Sequence, residues 1–141
     1  MFSAKYSMIN FSSFFSQGLK NTLRVKNGTN ISYKGPWVLV YPNTVIDRWY
    51  VGDFQSAEYT ISVDLDNDDR EIIKCLLVAG PNNATVNVFG RSNLTSDLIE
   101  LTATVNASFV SLIANPSSPA VNGSKLIFSA NYYYAANSLT V

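Results

Sequence analysis

The side chains best placed to do chemistry lie in one short run: Asp64, Asp66, Asn67, Asp68, Asp69 and Glu71. Alternate oxygens at Asp64, Asp66 and Asp68 look like the opening of a calcium loop. Such a loop needs Gly at its sixth position for the sharp turn and Glu at its twelfth for bidentate ligation. Those positions here hold Asp69 and Cys75. The run therefore reads as the solvated tip of a hairpin, because Asp and Asn favour turns over ladders. Paired carboxylates for acid–base work stay open on composition, since Asp and Glu together number ten. The chain has no histidine, which removes Ser-His-Asp and Cys-His triads and the HExxH zinc site. No glycine pattern that cradles a nucleotide phosphate occurs. Cys75, the one cysteine, sits among apolar residues and reads as a small buried hydrophobe. The expectation is a non-enzymatic protein with no catalytic residue, no cofactor and no metal.

Aromatic side chains offer the other chemistry. Trp37, Trp49, Tyr50, Tyr59 and the run Tyr132, Tyr133, Tyr134 could form stacking platforms for a sugar, or pack a core or an interface. In a strand the tyrosine run must alternate faces, so at least one ring is exposed. Exposed tyrosine suits a protein interface. Near the start, Phe2, Tyr6, Phe11, Phe14 and Phe15 are interspersed with Ser without a single period. Residues 1–18 read as an arm reaching onto a neighbouring subunit or as a first edge strand, and residues 19–141 as one domain. The interface candidates are thus Phe2, Tyr6, Phe11, Phe14, Phe15, Tyr132, Tyr133 and Tyr134. Lys20, Arg24, Lys26 and Lys34 are scattered rather than massed, so no nucleic-acid stripe is expected.

The elements that must position these residues are strands. From Ala57 to Leu65, apolar residues alternate with Glu58, Thr60, Ser62 and Asp64, which is period two. After the acidic turn, Ile72 to Ala79 is apolar at every position but Lys74, as for a strand buried on both faces. Asn27-Gly28 between strand-like runs predicts a two-residue type I′ hairpin. Gly35-Pro36 and Pro42-Asn43 bracket Trp37 to Tyr41, an apolar run expected to be a central strand. Val45 to Val51 follows, with Asp47 and Arg48 on opposite faces. Ala84 to Phe89 puts Ala84, Val86 and Val88 on one face, and Gly90 to Ser96 reads as a polar connection. Leu98 to Val105 allows helix or strand, and Phe109 to Ala114 is a strand. Asn115 to Ser124 is a loop. The last strand has Leu126, Phe128, Ala130, Tyr132 and Tyr134 on one side. Short strands with frequent turns and no convincing amphipathic helix predict an all-β, antiparallel β-sandwich, first jelly-roll-like and second immunoglobulin-like.

Composition bounds the role of this body. Only 14% of residues are charged, against about 25% in an ordinary soluble protein, and the net charge is zero. A neutral, charge-poor surface lacks the repulsion that keeps domains apart, and points towards assembly with copies of itself or a larger particle. No secretory signal heads the sequence and no apolar run is long enough to span a membrane. Asn-x-Ser/Thr sequons at Asn27, Asn83, Asn93 and Asn122 are what an Asn- and Ser-rich chain produces by chance.

Four segments carry a resemblance: SAEYTISVDLD, VAGPNNATVNVFGRSNL, TATVNASFVSLIANP and GSKLIFSANYY. From Trp49 through Asn131 the chain resembles small β-sandwich virion proteins of tailed phages that infect cyanobacteria. The shared patterns are those of strands and turns, so the resemblance implies fold and company and assigns no functional residue. It implies a structural subunit of the virion, assembled in the host cytoplasm, foremost a capsid decoration or cement protein. A tail, neck or baseplate component, or a carbohydrate- or receptor-binding tip, is the alternative. The implied partners are other virion proteins and further copies in a homo-oligomer, with no nucleic acid and no membrane.

Overall fold

The computed structural model describes residues 25–26, 30–34, 36–66 and 69–136. The strands are β1 (Val25–Lys26), β2 (Asn30–Lys34), β3 (Val38–Val40), β4 (Thr44–Tyr50) and β5 (Phe54–Asp66). They continue with β6 (Asp69–Ala79), β7 (Ala84–Asn93), β8 (Ile99–Asn106), β9 (Phe109–Pro116) and β10 (Ser124–Tyr134). One 3-10 turn, Pro119–Val121, precedes β10, and no α-helix occurs among the described residues. All pairings are antiparallel, in a seven-stranded sheet β1-β2-β10-β5-β6-β7 with β3 also on β10, and a three-stranded sheet β4-β9-β8. The two sheets pack into a sandwich around one apolar core.

The long hairpin of β5 and β6 organises the large sheet. Tyr59, Ile61 and Val63 of β5 and Ile73, Cys75 and Leu77 of β6 point inward and are fully buried or nearly so. Opposite them β10 supplies Leu126, Phe128, Ala130 and Tyr132. The small sheet closes the sandwich with Trp49, Ile99, Val110, Leu112 and Ala114. Each buried Leu, Ile or Val contributes roughly 1.5–3 kcal/mol by leaving water.

Strand order falls partly into the expected roll. Early strands pair with late ones, β2 and β3 with β10 and β4 with β9. The middle of the chain departs from it: β5, β6 and β7 run as a meander in one sheet. The last strand lies centrally between β2 and β5, unlike the CFG order of an immunoglobulin sheet.

Four local expectations are corrected. Trp37 to Tyr41 is not a central strand; β3 is three residues long, and Trp37, Leu39 and Tyr41 are exposed. Ile72 to Ala79 is not buried on both faces, because Ile72, Leu76 and Val78 look outward beside Lys74. Lys26 pairs with Ile31, two residues beyond the partner that a turn of Asn27 and Gly28 alone would give it. Gly90 to Asn93 is not a connection but the end of β7, which passes a bulge opposite Lys74 and Cys75. The ambiguous stretch after Leu98 is strand β8: Leu101, Ala103 and Val105 are half-buried while Thr102 and Thr104 are exposed, which is period two.

Two tight turns rest on left-handed backbone. Tyr41-Pro42-Asn43-Thr44 closes with a Thr44 amide to Tyr41 carbonyl bond of 3.1 Å and Asn43 at φ 63°, the type II pattern of Pro then Asn. Asn106 pairs with Phe109, so β8 and β9 join through Ala107 (φ 54°) and Ser108 (φ 70°) alone. That is a type I′ geometry without the Asn-Gly it favours.

Candidate functional site

Of the sequence candidates, Phe2, Tyr6, Phe11, Phe14 and Phe15 lie outside the described residues. The tyrosine run divides three ways. Tyr133 is exposed on the outer face of the large sheet, and Tyr134 is half-buried against Phe54 at 5.6 Å between ring centroids. Tyr132 is corrected: it is a core residue, not a surface one, stacked on Phe54 at 5.0 Å. Strand alternation explains the split, since Tyr132 shares the inward row of Leu126, Phe128 and Ala130.

Tyr132 joins a polar node that bridges the two sheets. Asp47 on β4 accepts hydrogen bonds at Oδ2 from the Tyr59 hydroxyl (2.6 Å) and the Tyr132 hydroxyl (2.7 Å). Its Oδ1 accepts from the Arg48 amide at 2.9 Å, and the Trp49 indole N–H donates to the Tyr59 oxygen at 3.3 Å. A bulge at Ile46 creates this arrangement. Val45 pairs with Ile113 and Asp47 with Leu112, so the extra residue shifts the phase and turns Asp47 inward. Burial, the largest effect, raises the Asp47 carboxyl from 3.8 to about 6, against the hydrogen bonds from Tyr59, Tyr132 and Arg48 that pull it down. Burial and then the Asp47 charge raise the Tyr59 phenol well above its ordinary value. Burial likewise pushes the Cys75 thiol up to about 12, so it is an inert core residue.

A second interior carboxylate, Glu71, holds the crossover from the large sheet to the small one. It accepts from Arg91 Nη1 at 2.6 Å, from Asn93 Nδ2 at 3.3 Å and from the Leu98 amide at 3.0 Å. Arg91 also donates to the Ile99 carbonyl, and Asn93 to Asp97. The signal lies in the sequence: Glu71 is in phase with Ile73, Cys75 and Leu77. Of the rest of the acidic run, Asp64 pairs with Arg70 at 3.0 Å, Asp69 accepts from Thr95 and Asp66 is exposed, while Asn67 and Asp68 lie outside the described residues. Among the described residues no three His, Cys, Asp or Glu side chains gather to hold a metal. The two interior carboxylates also stand apart. Asp47 meets β5 through the Tyr59 hydroxyl, and Glu71 pairs with β5 at Val63, four residues further along the strand.

The surface carries what the interior does not. Trp37 (54% exposed), Leu39 and Tyr41 project from edge strand β3, and Val45 from β4. On the outer face of the large sheet Ile72, Leu76, Val78 and Phe89 are uncovered. On the small sheet Tyr50 meets Phe109 edge-on at 6.2 Å, with the Arg48 guanidinium 4.5 Å over the Phe109 ring. Trp49, Tyr59 and Tyr132, named above as sugar platforms, are all buried.

No protein-family model and no curated protein matches the chain. Among solved structures it is similar to the tailspike protein of the Acinetobacter phage vB_ApiP_P1. That likeness has a TM-score of 0.40 and 11% identity over 79% of this chain, which spans only 23% of that chain's length.

Proposed function

We propose that this protein is a non-enzymatic structural subunit of a phage virion, foremost a capsid decoration or cement protein, with a tail, neck or baseplate part as the alternative. The observation that carries the reading is the apolar edge at β3, where Leu39 of the strand and Trp37 and Tyr41 on either side of it are exposed, as is Val45 on β4, the next strand in the chain. Large aromatic and aliphatic side chains on an edge bury well against another protein and poorly against water. The charge-poor composition supports the same role, because little repulsion opposes close packing between copies. So does the resemblance of four strand segments to virion sandwich proteins. The buried carboxylates support it as well: both are occupied in holding the sheets together.

In this reading the partners are other virion proteins and further copies of the chain. Mass spectrometry of density-purified particles from the culture that carries the gene tests it. The expected result is the chain at a fixed ratio to the major structural protein. Its absence from particles while abundant in the lysate overturns the proposal. Light scattering of the recombinant protein tests the homo-oligomer separately: the expected assembly falls to monomer when Trp37, Leu39 and Tyr41 are all replaced by Ser.

A further inference from the structure

The outer face of the small sheet carries aromatic, cationic and hydroxyl groups that the core does not use. Trp49 and Val110 point into the core, so their neighbours Arg48 and Tyr50 on β4 and Phe109 on β9 point outward. Register sets these in two adjoining rows across the sheet: Tyr50, Phe109 and Asn106, then Arg48, Ser111 and Thr104. We infer that this face binds a saccharide that carries a carboxylate, with a sugar ring on Tyr50 and the carboxylate on Arg48.

The aromatic part is held in place before any ligand arrives. Tyr50 is 49% exposed and meets the Phe109 ring edge-on at 6.2 Å. On its other flank it lies against Gly52, where an added Cβ would stand 2.5 Å from Tyr50 Cε2. A side chain already fixed loses little freedom on binding. One face of a pyranose is lined with C–H groups, which stack on the negative face of an aromatic ring while the hydroxyls stay at the rim. Asn106, Ser111 and Thr104, in the same two rows, have amide and hydroxyl groups without a partner among the described residues. They supply the donors and acceptors that such hydroxyls need.

Arg48 sets the charge of the ligand. It is exposed, is the one basic residue of β4, β8 and β9, and forms no ion pair among the described residues. Its guanidinium lies 4.5 Å over the Phe109 ring. Stacking there steadies the planar fork and leaves its N–H groups for a carboxylate, which the fork matches bidentately. Glu100, the acidic residue on the same face, stands opposite Asn115, four residues along β8 from Thr104. A single cation is too few to follow a nucleic-acid backbone, and rows of hydroxyl and amide groups suit a hydroxyl-rich ligand better than an apolar peptide. The inference stands whether or not the protein belongs to a virion.

The full chain on an array of uronate- and sialate-bearing saccharides and their neutral counterparts tests this, followed by calorimetric titration with the saccharide bound best. Binding is expected to the acidic set, weakened at least about tenfold by Arg48→Gln and by Tyr50→Ala. The backbone amide of residue 48 still donates to Asp47 in the first variant, so an unchanged Tm is expected. Gly52→Ala, which pushes the Tyr50 ring aside with both ligand groups still present, is expected to weaken binding too. Lys74→Gln, which removes an exposed cation from the large sheet, is expected to leave it unchanged. No binding to any acidic saccharide overturns the proposal, as does equal binding to the neutral counterparts. Binding that survives Arg48→Gln, or that Lys74→Gln weakens equally, overturns it as well. An oligomer lost in Arg48→Gln while no saccharide binds overturns it by making this face a contact between copies.

Discussion

Asp47 is the buried carboxylate whose titration most directly affects stability near neutral pH. Its carboxyl is held at about 6 in the folded chain, against 3.8 ordinarily. Between those values the native state keeps a proton that the unfolded chain has lost. Stability from this group is therefore full below about pH 4 and lost as the pH rises through 6, a change of up to about 2–3 kcal/mol. Urea unfolding at pH 4.5 and 7.5 measures it: the difference between the parent and Asp47→Asn should shrink towards the acid end and grow in the variant's favour at pH 7.5. A pH-independent difference would show that burial does not govern this carboxyl. In the turn between β8 and β9, Ala107 and Ser108 both hold positive φ without a side chain suited to it. The double substitution Ala107→Asn with Ser108→Gly supplies the residue pair this turn favours. It is expected to raise stability by about 1 kcal/mol, read as a higher Tm. The sequence shows neither feature. An extra residue in β4 flips Asp47 without leaving a pattern, and an Ala-Ser turn carries no turn signal. Glu71 is legible by phase, but its place in an acidic run disguises it as part of the hairpin tip.

At the scale of elements, β6 shows what periodicity hides. Its two faces are almost equally apolar, so composition alone implies burial on both. Leu77 is 1% exposed and Leu76 is 47% exposed, one residue apart. Leu77→Ala should cost about 2–5 kcal/mol in chemical denaturation, and Leu76→Ala less than about 1 kcal/mol. Similar losses at both positions would mean that Leu76 is packed as deeply as Leu77. The β7–β8 crossover depends on Glu71 in a comparable way. Glu71→Ala leaves the Leu98 amide without its acceptor, takes the closest carboxylate from Arg91 and one of two acceptors from Asn93, and should cost about 3 kcal/mol or more. Limited proteolysis should then cut between residues 93 and 98 before any other site in the sandwich. The strands themselves are legible wherever one face is wet, as in β5, β7 and β10. They are misleading where an edge is apolar, as in β3, because a sequence window cannot say which neighbours a strand finds.

The whole molecule is closed by its last strand. β10 pairs with β2 and β3 on one side and with β5 on the other, so contacts between residues from about 60 to about 100 positions apart complete the sheet. Such non-local pairing makes folding slow, on the order of milliseconds to seconds. Stopped-flow refolding should show this, and a chain ending at Gly123 should not fold, because Leu126, Phe128, Ala130 and Tyr132 leave the core with β10. A cooperative unfolding transition in that shortened chain would show that β5 to β9 are sufficient alone. The sandwich class follows from local alternation, which any single strand reveals. The order of strands follows from pairings across the length of the chain, which no local signal encodes.

The two tryptophans have opposite surroundings, and this equips the protein with two optical reporters. Trp49 is enclosed by Phe54, Tyr59 and Tyr132, whereas Trp37 stands in water on the β3 edge. The first should emit at short wavelength and resist iodide quenching; the second should emit at long wavelength and be readily quenched. Unfolding will shift the Trp49 component to the red. A partner seated on the β3 edge will instead shift the Trp37 component to the blue and shield it, leaving the Trp49 signal in place. Fluorescence of the unmodified chain can thus separate loss of the fold from occupation of its edge.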